Sequence, residues 1–256
     1  QQPTALGGLT YGVTNLELTA AYAAIANKGV YTEPIFYTKI LDKDGNVIID
    51  NTPKTTTVFK ESTAFLLTSA MEDVVTKGTG RNLQLSNMTV AGKTGTTNSS
   101  TDLWFAGFTP YYTCSVWAGY DSDETLPNTG TYRSYHQTLW HNVMERIHAG
   151  LEDPGFEPPS SVKQATVCSE SGLLAGKGCK SITEYFDQSN VPKTRCTQHY
   201  VAPTPTPTPS ATPAPETDEN GNQLTKPTPE PTKAPDKEPE QPSKPDEGND
   251  TEDGED

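Results

Sequence analysis

The chain has 256 residues and a formal net charge of −14 at neutral pH. A negative chain repels the phosphates of DNA and RNA, so the composition argues against a nucleic-acid-binding protein. No run of about 18 apolar residues occurs, and no basic segment followed by an apolar one opens the chain, so neither a membrane-spanning helix nor a signal peptide is predicted.

The charge is concentrated in residues 202–256. This segment holds 13 prolines, 14 acidic residues, four lysines and no aromatic residue, and its net charge is −10, against −4 for the rest. It has too little apolar surface to offset its chain entropy, so we expect a disordered spacer with extended polyproline II geometry. The other roughly 200 residues are enough for a sizeable core.

The first predicted elements are a helix and a hairpin. TNLELTAAYAAIANKG (14–29) opens with a capping box, Thr14 followed by Glu17, and predicts a buried helix whose alanines allow close packing. FYTKILDKDGNVIID alternates about Asp44-Gly45 and therefore predicts a β-hairpin.

A second helix and three strands follow. ESTAFLLTSAMEDVVTKG predicts an amphipathic helix. Its apolar stripe consists of Ala64, Leu67, Met71 and Val74. Strands are predicted at 88–96, 103–109 and 113–120, and the connections of three to six residues require neighbouring strands to run antiparallel.

The last long helix is predicted in YRSYHQTLWHNVMERIHAG, and the prolines that follow it mark a boundary. One stripe of residues in register consists of His136, Leu139, Val143 and Ile147. The element order favours an α/β (α+β) fold in which helices flank an antiparallel sheet. His136, His141 and His148 do not share a helix face, so we interpret them as ordinary, partly exposed histidines.

Four cysteines are present. Cys114 lies in a strand-like run and is interpreted as a buried, unreactive thiol. Cys168, Cys179 and Cys196 lie in a glycine-rich segment, and together with His199 they could form a Cys₃His zinc site. A disulfide is the preferred interpretation, because only one short ligand pair is present and the compartment is expected to be oxidising. The odd count leaves the pairing open, and no metal or cofactor is expected.

Gly92-Lys93-Thr94 matches the end of a phosphate-binding P-loop only superficially. That motif needs a glycine five residues before Gly92, where this chain has Asn87, and a helix afterwards, where this chain has a polar loop and a strand. A surface lysine in a hairpin is the simplest alternative. Against it, Gly92 and Gly95 within a strand indicate that something approaches the backbone closely.

A third interpretation fits the whole region. The segments GGLTYGVTNLELTAAYAAIANKG, VVTKGTG, AGKTGTTN, DLWFAGFTP and VWAGYD occur in the order found in the transpeptidase domain of penicillin-binding proteins. The chain resembles this family over residues 3–121, and KTGTTN with DLWFAGFTP resembles its bifunctional class A branch, which couples glycan polymerisation to peptide cross-linking. The resemblance implies a serine transpeptidase/β-lactamase-like fold, incomplete at the N-terminus.

The resemblance also implies roles for the KTG strand, an edge strand along which the substrate peptide would lie. Gly95 would leave room for the peptide. Lys93 would supply positive charge for the substrate carboxylate and assist proton transfer, and Thr94 and Thr96 would hydrogen-bond that carboxylate. The N–H of Thr96 would be one of two oxyanion-hole donors, each worth roughly 3 kcal/mol of barrier. The reaction would be acyl transfer through a serine ester.

Two motifs that the family needs before KTG are missing. No S-x-N occurs, and the one S-x-x-K, Ser160 to Lys163, follows KTG directly after two prolines and is interpreted as chance. Because the nucleophilic serine that the family carries in S-x-x-K is missing, we expect the chain to begin inside the domain and to have no acylation activity alone. KGTGR (77–81) is expected to have a minor supporting role, Asp102 to fix a loop through its carboxylate, and Trp104 to pack in the core.

The expected organisation is the C-terminal part of a transpeptidase domain (1–153), a small cysteine-containing appendage (154–201) and a disordered acidic tail (202–256). The implied function is peptidoglycan cross-linking by a serine D,D-transpeptidase on the outer face of the cytoplasmic membrane, held by an anchor upstream of this chain. Expected partners are D-Ala-D-Ala stem peptides and β-lactams. The alternatives are a non-catalytic cell-wall binding module and, less favoured, a β-lactamase-like hydrolase.

Overall fold

The computed structural model describes Thr4 and residues 7–9, 11–122, 124–127 and 129–199, without the side chain of Thr131. The predicted tail, 202–256, lies outside the described residues. Helices with described bounds are α1 (Asn15–Ala26), α2 (Glu61–Thr76) and α3 (Tyr135–Ile147). The strands are β1 (Val30–Thr32), β2 (Lys39–Leu41), β3 (Val47–Asp50), β4 (Thr55–Thr57), β5 (Ala91–Thr96), β6 (Asp102–Phe108), β7 (Thr113–Gly119), β8 (Val162–Cys168) and β9 (Ser181–Asp187).

The central sheet has the order β5-β6-β7 and is antiparallel, which confirms the three predicted strands. Gly92 pairs with Gly107 across β5 and β6. A Cβ atom on Gly92 would lie 2.6 Å from Cζ of Phe105, so the aromatic ring fills the space that a side chain would need. The close approach that the glycines indicated therefore occurs within the sheet itself.

Helices cover both faces of this sheet, which confirms the predicted fold class. Successive residues of a strand point to opposite faces. Phe105 packs with Trp140 of α3, their ring centroids 4.8 Å apart, whereas Phe108 packs with Met71 of α2 and with Tyr22 of α1. Both phenylalanines are fully buried, so the core lies in two layers, one on each side of β6.

The local signals at α1 and at the hairpin are confirmed. Thr14 and Glu17 form the predicted capping box, with the Thr14 N–H donating to Glu17 Oε2 at 2.8 Å. β2 and β3 pair around the predicted turn, where Gly45 has a φ of +85°. Oδ1 of Asp42 accepts hydrogen bonds from the N–H groups of the turn, which explains why the turn forms where the sequence placed it.

Of the predicted stripe of α3, only His136 is buried. The buried residues are His136, Trp140 and Met144. Of the predicted stripe, Leu139 and Val143 are 51% and 41% exposed. Burying the larger apolar surface of a tryptophan stabilises the fold more than burying a leucine does, so the helix presents Trp140 to the sheet.

Two further sequence expectations need correction. In α2, Ala64 and Met71 are buried as predicted, but Leu67 is 43% exposed and Val75 is buried beyond the predicted stripe. His148 is buried, not partly exposed, and its Nε2 lies 2.7 Å from the hydroxyl oxygen of Thr109. Which faces of α2 and α3 are buried depends on contacts with residues that are distant in sequence.

A small two-stranded unit follows α3. β8 and β9 pair antiparallel, and Tyr185 of β9 packs edge-on against Phe65 of α2 with ring centroids 5.0 Å apart. Within residues 158–199 the structure buries Val162, Val167, Cys168 and Cys196. Among the described residues, no helix combines the length and the apolar character that crossing a membrane requires.

Candidate active site at the free edge of β5

The outer edge of β5 carries the residues of the KTG motif. In the part of the chain that the structure describes, β5 pairs only with β6. The N–H of Thr97 donates to the carbonyl of Asp102 at 3.2 Å. Backbone groups alternate in direction along an antiparallel strand, so the N–H and C=O groups of Thr94 and Thr96 point away from β6, towards the free edge. This edge can accept an additional strand.

A cleft of about 260 Å³ lies beside this edge. Thr94 and Thr96 are two residues apart, so their side chains lie on the same face of the strand, and both line the cleft. The other lining residues are Thr79, Ser100, Leu103, Leu126, Pro127, Arg133, His136 and Gln137. Hydroxyl, guanidinium and imidazole groups thus surround a small polar cleft.

Thr79 joins the loop after α2 to the KTG strand. Its hydroxyl oxygen lies 2.8 Å from that of Thr94. The N–H groups of Gly78 and Gly80 both donate to the carbonyl of Val74, at 3.1 and 2.9 Å, which fixes the loop at the end of the helix. The KGTGR segment, for which a minor supporting role was expected, thus contacts a predicted substrate-binding hydroxyl.

Lys93 lies on the opposite face of β5 from Thr94 and does not line the cleft. Its side chain is exposed and turns along the strand edge, where Nζ donates to the carbonyl of Thr94 at 2.9 Å. An ammonium group has three N–H donors, so this contact leaves donors for a ligand at the edge. The structure therefore brings Thr94 and Thr96 together in the cleft and places the charge of Lys93 beside it.

Gly95 is the remaining predicted site residue. It pairs with Trp104, and a Cβ atom on Gly95 would lie 3.1 Å from Cβ of Trp104. Such a contact is tighter than most, so the absence of a side chain lets Trp104 pack against the strand. Trp104 is half-buried, not in the core as expected, and its ring centroid lies 6.4 Å from that of Trp117 at an interplanar angle of 49°.

The loop between β5 and β6 is held by side-chain hydrogen bonds. Oγ1 of Thr97 accepts from the N–H groups of Thr101 and Asp102 at 3.1 and 3.0 Å. Asp102 accepts from Thr101 through one carboxylate oxygen and from the indole N–H of Trp117 through the other. The expected role of this carboxylate is confirmed, because it ties the loop to β7.

His136 lines the cleft and is buried, so its interpretation as an ordinary, partly exposed histidine is wrong. It is 2% exposed, and its Nδ1 has no hydrogen-bond partner among the described residues. Burial lowers the pKa of its imidazole, which favours the neutral ring. The spacing of His136, Trp140 and Met144 by four residues could have revealed this face. A buried, unpaired nitrogen next to a cleft is a candidate contact for a ligand or a water molecule.

The S-x-x-K sequence outside the KTG region is not part of this cleft. Ser160 is exposed in the turn before β8, and Lys163 is exposed on β8 itself. No helix brings the two side chains together, in agreement with their interpretation as a chance match. The strand and loop that follow Lys93 equally exclude the P-loop interpretation.

The cysteines of the small unit are not paired. All four cysteines in the described residues are free thiols, so the disulfide interpretation is wrong. Cys168, Cys179, Cys196 and His199 instead converge, with their ligand atoms within 4.8 Å of one another. Cys114 lies apart on β7 and is half-buried, and burial raises the pKa of its thiol, as expected for an unreactive cysteine.

Two family models match this chain, one over its first part and one over the small unit after α3. A family model of the penicillin-binding protein transpeptidase domain matches residues 2–147, and one of the C-terminal domain of penicillin-binding protein 1A matches residues 158–200. Penicillin-binding protein 1A of Clostridium tetani is 33% identical over 198 residues, which are 73% of this chain and 25% of that protein. The protein of the same name from Clostridium perfringens is 34% identical over 202 residues, 75% of this chain and 23% of that protein.

The fold has a counterpart among solved structures. The 2.6 Å crystal structure of penicillin-binding protein 1A from Haemophilus influenzae gives a TM-score of 0.66 at 23% identity, over 77% of this chain and 35% of that one. The chain spans about a quarter of the length of the curated relatives named above. The transpeptidase match covers more than half of the chain. The chain therefore belongs to the penicillin-binding protein transpeptidase family, as a relative of the penicillin-binding proteins 1A.

Proposed function

We propose that the whole protein is a serine D,D-transpeptidase that cross-links peptidoglycan, and that this chain supplies one side of its active site. The observation that carries the proposal is the free edge of β5. Within four residues it offers an ammonium group at Lys93, hydroxyl groups at Thr94 and Thr96, and an outward N–H at Thr96. This set suits a peptide that ends in a carboxylate.

Binding would use the edge as a template for an additional strand. The N–H and C=O groups of Thr94 and Thr96 that point away from β6 would pair with the main chain of the stem peptide. The two hydroxyls and the ammonium of Lys93 would then hold the terminal carboxylate, and hydrogen bonds with charged groups are roughly twice as strong as neutral ones. Lys93 would release the Thr94 carbonyl as the peptide enters.

Catalysis would depend on the N–H of Thr96. Attack of a serine on the D-Ala-D-Ala bond places negative charge on the carbonyl oxygen, and a fixed donor that meets this charge accelerates acyl transfer by about 10²- to 10³-fold. The attacking serine, which the family carries in S-x-x-K, is not identified in this chain, because the S-x-x-K at Ser160 lies outside the cleft. It belongs to the part of the active site that this chain does not supply.

The location and ligands follow from the same proposal. The substrate is found outside the cytoplasm, so the enzyme works on the outer face of the cytoplasmic membrane and is held there by an anchor in the whole protein. β-Lactams resemble the D-Ala-D-Ala terminus and should acylate the same serine. Residues 1–153, 154–201 and 202–256 would be the transpeptidase portion, the cysteine-containing appendage and a disordered tail.

The test is covalent labelling with a fluorescent penicillin. The whole protein should be labelled, and unlabelled penicillin should block the label. The 256-residue chain alone should stay unlabelled, because it lacks the serine. Lys93→Ala in the whole protein should slow labelling by about 10²-fold or more, since general acid–base and charge contributions are of this size. Lys43→Ala, which removes an exposed lysine of the β2–β3 hairpin, should not slow labelling.

Three results would contradict the proposal or part of it. A folded whole protein that takes no label but sediments with purified peptidoglycan would be a cell-wall binding module. A protein that is labelled and then releases the penicillin rapidly as the hydrolysed product would be a β-lactamase-like hydrolase. A label on the 256-residue chain would show that the nucleophile lies within it.

A further inference from the structure

A second cluster of reactive side chains lies outside the cleft, in the small unit after α3. Nδ1 of His199 faces the three sulfurs of Cys168, Cys179 and Cys196, at 3.5, 3.6 and 3.4 Å. All four atoms lie within 4.8 Å of one another. We infer that these four residues bind one structural Zn²⁺ ion in a tetrahedral Cys₃His site.

The distances match the edges of a zinc tetrahedron. Zn–S bonds of about 2.3 Å and Zn–N bonds of about 2.0–2.1 Å, at tetrahedral angles, place sulfur and nitrogen about 3.5–3.6 Å apart. The three observed nitrogen–sulfur distances, 3.4–3.6 Å, agree with this edge. Sulfur atoms around the same ion would lie about 3.8 Å apart, within the 4.8 Å limit of the cluster.

Hydrogen bonding alone does not explain the cluster. Nδ1 of His199 can take part in one S–H···N or N–H···S hydrogen bond, because a ring nitrogen carries either one lone pair or one proton. Three sulfurs at equal distance therefore leave two contacts unexplained. A cation at the centre explains all of them, since each sulfur and the nitrogen then direct a lone pair at the ion.

Glu170 orients the imidazole for this role. Its Oε2 lies 2.9 Å from Nε2 of His199, on the side of the ring away from the sulfurs. A carboxylate at this nitrogen keeps the proton on Nε2 and leaves the lone pair of Nδ1 free for a metal. Metal-binding histidines in proteins commonly donate their other N–H to a carboxylate in this way.

The backbone brings the four ligands together from three segments. Cys168 ends β8, Cys179 follows a turn in which its N–H donates to the carbonyl of Gly176 at 3.2 Å, and the Cys196 N–H donates to the carbonyl of Leu174 at 2.8 Å. The N–H of Gly176 lies 3.4 Å from the Cys179 sulfur and can donate to a thiolate. A Cβ atom at this glycine would lie 2.4 Å from the Cys196 carbonyl oxygen, so only glycine fits there.

The ligand set favours zinc in a structural role. Thiolate and imidazole ligands in a tetrahedron are typical of Zn²⁺. Four protein ligands fill the coordination sphere and leave no position for a substrate or a reactive water molecule. Atoms this close together enclose a single ion, which excludes a cluster of several irons.

The small size of the unit after α3 also favours a metal ion that links its segments. The unit buries four residues within 158–199, and two of these are the cysteines Cys168 and Cys196. Its apolar core is therefore very small. Units of this size are usually stabilised by disulfides or metals. With no disulfide present, the ion would join the end of β8 to the segments around Cys179 and Cys196.

The first measurement is metal content and coordination in the whole protein, purified under reducing conditions without chelators. Plasma mass spectrometry should find about one zinc in this site. Zinc-stripped protein titrated with Co²⁺ should show the visible absorption of tetrahedral cobalt with thiolate charge-transfer bands. Absence of both zinc and this spectrum overturns the site, and because no variant is needed, misfolding of a variant cannot affect this result.

Variants assign the ligands. Cys179→Ser and His199→Asn should each lose the zinc of this site, whereas Cys114→Ser, which removes a thiol on β7, should retain it. Glu170→Gln should keep the ion but bind it roughly 10- to 100-fold more weakly in a competition with a chromogenic chelator. Equal zinc content in Cys179→Ser and Cys114→Ser would exclude the cluster as the binding site.

Alkylation separates the metal from a disulfide. Protein unfolded with a chelator and without a reductant should react with iodoacetamide at Cys168, Cys179 and Cys196, as peptide mass spectrometry would show. In the folded protein the same thiols should be protected until the metal is removed. A pair of these cysteines that resists alkylation in the unfolded protein would be a disulfide, and the zinc site would be rejected.

Discussion

The hydroxyl oxygens of Thr79 and Thr94 lie 2.8 Å apart, so the loop after α2 holds a side chain of the KTG strand. We expect Thr79→Val to slow acylation of the whole protein by β-lactams about 3- to 10-fold, because a single hydrogen bond contributes roughly 1 kcal/mol. Stopped-flow or gel-based labelling with fluorescent penicillin measures the rate. Thr79→Ser retains the hydroxyl group and should keep the acylation rate of the unchanged protein.

The control for this prediction is Thr76→Val. Thr76 lies at the end of α2, and its hydroxyl bonds only to the carbonyl of Glu72 in the same helix. If Thr79→Val and Thr76→Val label at the same rate as the unchanged protein, the contact between Thr79 and Thr94 has no role in positioning the substrate.

Gly95→Ala tests how tightly the KTG strand packs on Trp104. The new Cβ would lie 3.1 Å from Cβ of Trp104, and overpacking of this kind typically costs about 1–3 kcal/mol. The free energy of unfolding, from denaturant titration, should therefore fall. The double variant Gly95→Ala with Trp104→Gly, which removes this Cβ, should lose less than the sum of the two single variants, whereas strict additivity would show that Trp104 is not the obstacle.

His136 should make stability depend on pH. Burial lowers the pKa of its imidazole in the folded chain, so the unfolded chain takes up a proton first as the pH falls. The stabilisation from the neutral His136 ring is present above the ordinary histidine pKa of about 6.5 and is lost below it. The free energy of unfolding should change by at most about 1.4 kcal/mol per pH unit. Chemical unfolding between pH 8 and pH 5 measures the effect.

The comparison for this prediction is His136→Phe, which fills the site with a ring that does not titrate. The free energy of unfolding of the unchanged protein should fall relative to this variant as the pH is lowered. Parallel curves for the two proteins would show that the ring of His136 titrates in the folded state as it does in the unfolded one.

Glu72 in α2 should change stability with pH in the opposite direction to His136. Burial, with repulsion from Asp73 and Asp153, raises the pKa of its carboxyl group to about 7. As the pH rises from about 4.5 to 7, the unfolded chain loses this proton before the folded chain does, so stability falls. Glu72→Gln should remove this loss and stabilise the protein at pH 8 by on the order of 1 kcal/mol, since solvent screens a partly exposed group.

A matched control lies on the same helix. Glu61 is exposed and forms a surface ion pair with Lys28 at 3.3 Å. Glu61→Gln should change the free energy of unfolding at pH 8 by less than about 0.5 kcal/mol. A stabilisation by Glu61→Gln as large as that by Glu72→Gln would point to overall net charge as the cause.

Features set by neighbouring residues could be predicted from the sequence. The capping box of Thr14 and Glu17, the turn at Asp44-Gly45 and the three antiparallel strands all formed where the pattern placed them. Each depends on hydrogen bonds or backbone angles within a few residues. The KTG strand belongs to the same class, because its glycines and short connections are local signals.

Features set by distant contacts could not be predicted. His136 lines the cleft because α3 turns Trp140 to the sheet, and the helix sequence is compatible with two faces, one through Trp140 and one through Leu139. The convergence of Cys168 with Cys179 and Cys196 depends equally on the path of the chain after β8. Cysteine spacing was compatible with a disulfide and with a metal, and only the three-dimensional arrangement distinguishes them.

The face of α3 gives a last prediction, in which the sequence pattern and the structure disagree. Trp140 is fully buried against Phe105, and its indole N–H donates to the carbonyl of Cys114 at 3.0 Å. Trp140→Ala should therefore cost about 3–5 kcal/mol of unfolding free energy, from the lost apolar contact and the cavity that remains. Leu139→Ala, at a residue that is 51% exposed, should cost less than about 0.5 kcal/mol. The reverse order of the two losses would mean that α3 packs through the stripe of Leu139 and not through Trp140.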